Sequence, residues 1–186
     1  MDNFGFKQSP NIAGTNRLLN VIYVAMFTAI IAVSAQISIP TAIPFTLQTL
    51  GVFVAGAMLG WKRSTLSVFI YILLAVVGVP VLANFSGGFD KVIGITGGYI
   101  IGFIFTAFIV GMITDKFGRK TGILIISMVA GLMVCYLFGT VWFCVISQTT
   151  FTKAIMLCVV PYLLFDALKI IVATVLVNRL DKIIKL

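Results

Sequence analysis

An acid and a base stand three residues apart in an apolar stretch near the end of the chain. Asp166 and Lys169 are the only charged residues between Lys153 and Arg179. At a spacing of three, both side chains emerge on the same face of a helix, one turn apart. Ionisable groups at membrane depth are costly, so they usually face a cavity and mark a ligand or ion path. The alternative is a mutually neutralising pair that only fixes helix packing.

The composition indicates an integral membrane protein of one domain. The chain has 186 residues, of which 61% are hydrophobic and 10% charged, a balance outside the range of soluble domains. It contains no histidine, which excludes histidine metal sites and catalysis by Ser-His-Asp or Cys-His groups. The net charge of +8 comes from basic residues in short loops, where they orient a membrane protein rather than bind nucleic acid.

Other chemical motifs are few. The three cysteines lie in apolar stretches without CxxC spacing, and we interpret them as packing residues: Cys135, Cys144 and Cys158. The sequence has no Walker A motif and no GxGxxG, so any use of ATP must come from a partner. A proton- or sodium-coupled carrier would more often show inverted repeats and several buried acids.

The apolar segments suffice for five to seven membrane spans of about 20 residues each. Charged or proline- and glycine-rich breaks separate them, and proline opposes helix at and before its own position. We predict helices at about 17–34, 46–61, 64–79, 94–114, 121–145 and 157–180. The predicted fold is an all-α integral membrane protein, with six transmembrane helices in a compact bundle over residues 17–186 and a flexible cytoplasmic arm at residues 1–16.

Basic residues indicate the orientation of the predicted bundle. Ten of the 13 lysines and arginines fall on one side, whereas Lys91 and Lys153 fall on the other and Lys169 lies within the bundle. Because cytoplasmic loops carry an excess of lysine and arginine, both termini are predicted to be cytoplasmic. The first external loop contains two prolines and no charge, and we predict that Gln36 to Phe45 form a mobile lid.

Three polar segments on the predicted external side favour a pocket for a small organic molecule. Such a pocket needs an apolar body with a few fixed polar groups, and glycines let backbone approach a ligand closely. The polar and aromatic candidates are Phe45, Thr46, Gln48, Asn84, Thr96, Tyr99, Asp166 and Lys169. The glycine candidates are Gly87, Gly88, Gly97 and Gly98. Each signal is weak alone, and the prediction rests on their convergence on one side of one bundle.

Small residues recur at helical spacing in three predicted helices. Ala25, Ala29 and Ala32 lie on one face of the first helix, and Gly56 and Gly60 form a GxxxG in the second. In the fourth, a glycine recurs every four residues at Gly94, Gly98 and Gly102. Small residues let helix backbones approach closely in lipid, where no hydrophobic force acts between helices. Each stripe is therefore either an internal packing face or a surface that docks a partner.

Four segments occur in order along the chain: Pro44-Phe-Thr-Leu-Gln48-Thr-Leu, Val79-Pro80-Val-Leu-Ala-Asn-Phe-Ser-Gly-Gly88, Thr96-Gly-Gly-Tyr99-Ile-Ile-Gly102-Phe and Pro161-x4-Asp166-x2-Lys169. Together they resemble the BioY family of biotin-specific substrate-binding subunits, the S-components of energy-coupling factor (ECF) vitamin transporters. The resemblance covers about residues 17–180, although residues 83–88 depart from the more common Ala-Gly-Gly-rich form.

The resemblance implies a non-enzymatic, high-affinity biotin-binding subunit of a bacterial cell membrane. It further implies that Asp166, Asn84 and Gln48 complement the ureido group of biotin. Ala25 and Ala29 would dock against the transmembrane coupling subunit, while separate ATPase subunits hydrolyse ATP and this chain needs no cofactor. The alternatives are an S-component for another vitamin, or a non-transport membrane subunit that uses the Asp166–Lys169 pair for packing.

Overall fold

The computed structural model describes residues 12–39 and 44–183, with side chains from residue 17 onward. The chain is almost entirely helical over these ranges, apart from a two-stranded antiparallel hairpin between β1 and β2. The elements are α1 (Ile12–Gln36), β1 (Ser38–Ile39), β2 (Phe45–Thr46), α2 (Gln48–Val77), α3 (Phe89–Val92), α4 (Gly97–Phe117), α5 (Thr121–Ser147), α6 (Phe151–Cys158) and α7 (Leu163–Ile183). One-turn 3₁₀ helices lie at Ala83–Phe85 and Val160–Tyr162.

Five helical stretches among the described residues are long and apolar enough to cross a membrane. They correspond to α1, α2, α4, α5 and the combined stretch Phe151–Ile183. The expectation of an all-helical membrane protein is thus confirmed at this level.

The helix α2 is broken at Gly60, where the backbone takes φ 74° and ψ 172°. The Gln48 side-chain amide donates to the Tyr71 hydroxyl at 2.9 Å, although 23 residues of straight helix would span about 34 Å. The two halves of α2 therefore fold back on each other, near the point at which the sequence predicts a break between two helices. At the turn, the Trp61 N–H donates to the Asp115 carboxylate at 3.1 Å.

Glycines set the spacing between α2, α4 and α5. A side chain at Gly56 would meet Val110 of α4 at 2.9 Å, and one at Gly102 would meet Cys135 of α5 at 3.1 Å. Gly56 and Gly102 therefore let the helices pack closely inside the bundle. For these two stripes the structure favours internal packing over a surface that docks a partner. The buried core follows the same interface and includes Phe53, Tyr71 and Met128.

Three predicted boundaries are corrected by the structure. Helix α1 begins at Ile12, so residues 12–16 belong to it, and the rest of the predicted arm lies outside the described residues. Helix α4 begins at Gly97 rather than near residue 94, because the preceding segment forms α3 and a turn. The last predicted helix is divided, because Pro161 sits in a 3₁₀ turn between α6 and α7 and cannot donate a backbone hydrogen bond.

Candidate ligand-binding site

The first two turns of α7 present a buried ion pair. Lys169 Nζ lies 2.7 Å from Asp166 Oδ1, and both side chains are 6% exposed. The second carboxylate oxygen, Oδ2, accepts a hydrogen bond from the hydroxyl of Tyr136 on α5. Buried charges are tolerated when they are paired and hydrogen-bonded. The spacing of three thus places acid and base together as the sequence predicts, and α5 supplies a partner that the sequence did not indicate.

Lys169 has two further contacts besides Asp166. Its ammonium donates to Thr49 Oγ1 at 3.1 Å and lies 4.2 Å from the centroid of the Phe45 ring. A cation over an aromatic face is attracted by the ring quadrupole, and more strongly when it is desolvated. Lys169 therefore joins α7 to the first turn of α2 and to β2.

A cavity of about 460 Å³ is lined in part by this pair. Its volume is within the range of small-molecule sites, and its wall is mainly apolar with a few polar groups. Eight of the twelve predicted ligand residues line it, namely Phe45, Thr46, Gln48, Asn84, Thr96, Tyr99, Asp166 and Lys169. The convergence inferred from three separate polar segments is therefore present in the fold.

The remaining four predicted residues, all glycines, are not among the residues that line the cavity. A Cβ at Gly97 would clash with the Val92 carbonyl, and one at Gly98 with Trp142. A Cβ at Gly87 would clash with the Val79 carbonyl, and Gly88 has φ 104°. The positions of these glycines therefore do not support the prediction that they let a ligand approach. Close packing accounts for Gly87, Gly97 and Gly98, and a positive φ accounts for Gly88.

The outer wall is tied to the β-hairpin through Gln36 and Asn84. Ser38 Oγ donates to Asn84 Oδ1 at 2.9 Å, and the Phe85 N–H donates to Gln36 Oε1 at 2.9 Å. The Gln36 side-chain amide in turn donates to the Leu82 carbonyl at 3.1 Å. Residues 37–39 are thus fastened to the turn at residues 83–86, whereas residues 40–43 of the predicted lid lie outside the described residues.

The turn itself is conformationally unusual. Asn84 and Phe85 both have positive φ, at 57° and 53°, and a left-handed conformation costs a non-glycine residue about 1–2 kcal/mol. Asparagine adopts it more readily than most residues, whereas phenylalanine does not. The hydrogen bond from Phe85 to Gln36 stabilises this conformation, and it places Asn84 at the wall of the cavity.

Aromatic rings close the side of the cavity. The rings of Phe45 and Tyr162 are stacked with centroids 6.4 Å apart, and Phe45 also packs on Phe165 at 4.7 Å. The Tyr99 hydroxyl donates to the Cys158 carbonyl at 3.2 Å, which joins α4 to the end of α6. A flat apolar ligand would lie against these rings, with the polar pair at its end.

Sequence reasoning missed several lining residues. Tyr136 lies in the apolar sequence of α5, where no pattern distinguishes a tyrosine that lines a cavity from one that packs in the core. Thr49 directly follows the predicted Gln48, and its own type gave no signal. Lys91, which the sequence places between two spans on the external side, also lines the cavity from α3 and is exposed. It forms no ion pair with any described residue.

The fold and sequence have close counterparts. The model of the BioY family matches residues 8–186. The chain belongs to the BioY family. A "Biotin transporter BioY" of Thermotoga maritima is 42% identical over 164 residues, which cover 88% of this chain and 96% of that protein. A protein of the same name from Lactococcus lactis is 31% identical, covering 92% and 95% of the two chains.

A solved structure extends the match to three dimensions. The crystal structure described as the S-component for biotin from an ECF-type ABC transporter superposes with a TM-score of 0.85 and 29% sequence identity. The superposition covers 90% of this chain and 93% of that one. The resemblance drawn from the four segments is thereby confirmed.

The predicted docking residues of this BioY chain lie on the outside of the bundle. Ala25 and Ala29 are exposed on α1, while Val24 and Thr28 on the adjoining face are buried. Thr28 Oγ1 contacts the Ser67 carbonyl at 3.1 Å, so that face packs on α2. The alanine pair thus lies outside the packed interior of the bundle.

Proposed function

We propose that this chain is the biotin-binding subunit of an ECF-type importer. It captures biotin in the cavity above Asp166 and delivers it to a coupling module that uses ATP. The observation that carries the proposal is a buried, hydrogen-bonded acid–base pair at the end of an aromatic-walled cavity, in a chain of the BioY family.

The ureido group of biotin, two N–H donors and a carbonyl, is proposed to bind at the ion pair. An ionised carboxylate offers about four lone-pair sites, and Lys169 and Tyr136 occupy one on each oxygen of Asp166. The remaining sites suit a ureido N–H, while the buried side chain of Gln48 lines the same cavity. This chemistry assigns Asp166 as the acceptor and Lys169 as the group that balances its charge.

The valerate tail is proposed to run toward the mouth, near Lys91. A charged tail loses less hydration at an exposed position than beside the buried pair. Lys91 is exposed and unpaired among the described residues, whereas Lys169 is already bonded to Asp166 and Thr49. The carboxylate is therefore assigned to the outer end and the ring system to the inner end.

We further propose that the two halves of α2 are separate spans, which gives six in all, with both termini cytoplasmic. The folded-back geometry of α2 at Gly60 and the basic residues at its turn support this topology. Single cysteines are placed at Ile39 before α2, at Lys62 in its turn and at Val79 after it, each in a chain without its native cysteines. Ile39 and Val79 should be labelled from outside and Lys62 from the cytoplasm, whereas labelling of Ile39 and Val79 from opposite sides would show that α2 crosses only once.

The binding proposal is tested with purified protein in detergent. Labelled biotin should bind saturably at one site, and biotin at 100 times its dissociation constant should stabilise the fold by about 2.7 kcal/mol in thermal unfolding. A panel of other vitamins separates biotin from a different S-component ligand. Absence of stabilisation by any vitamin would leave the Asp166–Lys169 pair as a packing device.

A further inference from the structure

A second apolar groove lies on the outside of the bundle, far from the cavity. It measures about 480 Å³ and runs between the second half of α2 and Ile104 of α4, lined by Trp61, Lys62, Thr65, Leu66, Phe69 and Ile104. From Trp61 to Phe69 it extends about 12 Å along the helix. Trp61, Leu66 and Phe69 are exposed large hydrophobic residues, so the groove opens on the side of the bundle that faces lipid.

One end of this groove is strongly basic. The turn at Gly60 and the α4–α5 connection together carry Lys62, Arg63, Lys116, Arg119 and Lys120 against Asp115. Arg119 is engaged by Asp181 at 2.5 Å and by the Met58 carbonyl at 2.8 Å, and Asp115 accepts from the Trp61 N–H. Lys62 forms no ion pair with any described residue and is exposed.

Trp61 joins the basic end to the apolar groove. Its ring is held edge-on against Phe108, with centroids 5.6 Å apart, and Lys62 Nζ lies 5.2 Å from its centroid. Tryptophan is enriched where the hydrocarbon of a bilayer meets the headgroups, and long basic side chains direct their charge toward that boundary. The ammonium of Lys62 therefore lies at the Trp61 end of the groove, beside its apolar lining.

We propose that this groove binds an anionic phospholipid, with its phosphate on Lys62 and an acyl chain along Leu66 and Phe69. The occupant follows from charge complementarity. Phosphatidylcholine would also bring a phosphate to Lys62, but its choline cation would meet the neighbouring basic residues, whereas a phospholipid with a net negative charge pairs with Lys62 without that repulsion. A basic residue near an anionic membrane surface contributes about 1 kcal/mol, or about fivefold in binding.

The chain contains its own reporter for this site. It has two tryptophans, and Trp142 is held away from the groove by a hydrogen bond from its Nε1 to the Gly94 carbonyl at 2.9 Å. The full chain is reconstituted in phosphatidylcholine vesicles that contain increasing fractions of brominated phosphatidylglycerol or brominated phosphatidylcholine. The quenching of Trp61 fluorescence is the difference in quenching between wild type and Trp61→Phe. A Trp142→Phe chain, in which Trp61 is the one tryptophan left, measures the same quenching independently.

Brominated phosphatidylglycerol should quench Trp61 at mole fractions about fivefold lower than brominated phosphatidylcholine. The preference should disappear in Lys62→Gln, persist in Lys62→Arg, and persist in the matched control Lys120→Gln, which removes one charge from the same end outside the groove. Equal quenching by the two lipids in wild type would overturn the proposal. So would an equal loss of preference in Lys62→Gln and Lys120→Gln, which indicates only a diffuse surface charge. Absence of quenching by either lipid would also overturn the proposal, because it would show that lipid does not enter the groove.

Discussion

The buried pair can be tested by changing its members singly and together. Asp166→Asn keeps the shape of the side chain but removes the charge that Lys169 and the proposed ureido donors use. Hydrogen bonds to a charged group contribute about 1.5–3 kcal/mol, against about 0.5–1.5 kcal/mol for neutral partners. We expect Asp166→Asn to weaken biotin by more than tenfold, which corresponds to at least about 1.4 kcal/mol.

The same substitution also acts on stability. Lys169 would keep its contacts to Thr49 and the Phe45 ring but lose its counter-ion, and removal of one partner from a buried pair costs about 3–5 kcal/mol. A loss of affinity in Asp166→Asn or Lys169→Ala alone is therefore ambiguous. Thermal unfolding without ligand must accompany each binding measurement.

The double substitution Asp166→Asn with Lys169→Met separates the two explanations. It removes both charges and fills the space of Lys169 with an apolar chain, so unfolding should return close to wild type. If Asp166 accepts from the ligand, affinity for labelled biotin stays more than tenfold low in this stable protein. A double variant that is stable and binds biotin within threefold of wild type would refute the assignment and make the pair a packing device.

Three further outcomes are expected. Tyr136→Phe removes the hydrogen bond to Asp166 and should weaken biotin by up to about tenfold; unchanged affinity would contradict an orienting role. Lys91→Gln should weaken biotin by up to about fivefold, as for an exposed charge pair, and leave biotinamide unaffected, whereas a loss for biotinamide that vanishes in Lys169→Ala would place the tail on the inner lysine. Ala25→Trp or Ala29→Trp should abolish uptake in cells while purified protein still binds biotin, and an equal loss of binding would make the stripe internal packing.

Much of the site was accessible from sequence because charges and proline are costly in lipid. A lone acid and base at a spacing of three had to share a face and find partners, and Asp166 and Lys169 do so. The polar segments around Gln48 and Asn84 had to meet water or a cavity for the same reason, and both line the cavity. These predictions depend on energy terms too large for tertiary packing to override.

The remainder depends on which side of an apolar helix faces inward. Along α5, almost every residue suits lipid or core equally, so no periodicity separates Tyr136, which contacts Asp166, from exposed neighbours such as Leu137. For the glycines, the sequence suggested a ligand site where the structure has close packing. Gly97 and Gly98 have the composition of a ligand loop, but the side chain of Trp142 occupies the space beside them, and only tertiary structure reveals that neighbour.

The turn at Gly60, in the middle of α2, supports the site from a distance. Gln48 meets Tyr71 only because the chain reverses at Gly60, where φ is 74° and ψ is 172°. This backbone region is essentially limited to glycine and costs other residues about 1–3 kcal/mol. A Cβ at Gly60 would also lie 2.6 Å from the Asp115 carboxylate oxygens.

Gly118 offers a matched control for this turn, since it has φ 83° and ψ −179° with open space where a Cβ would lie. Gly118→Ala therefore measures the backbone cost alone, and Gly60→Ala measures that cost plus displacement of Asp115 from the Trp61 N–H. We expect Gly60→Ala to lower the unfolding temperature more than Gly118→Ala, and biotin affinity to fall only in Gly60→Ala. Equal effects of the two substitutions on unfolding and on affinity would show that the Asp115 contact does not set the geometry of α2.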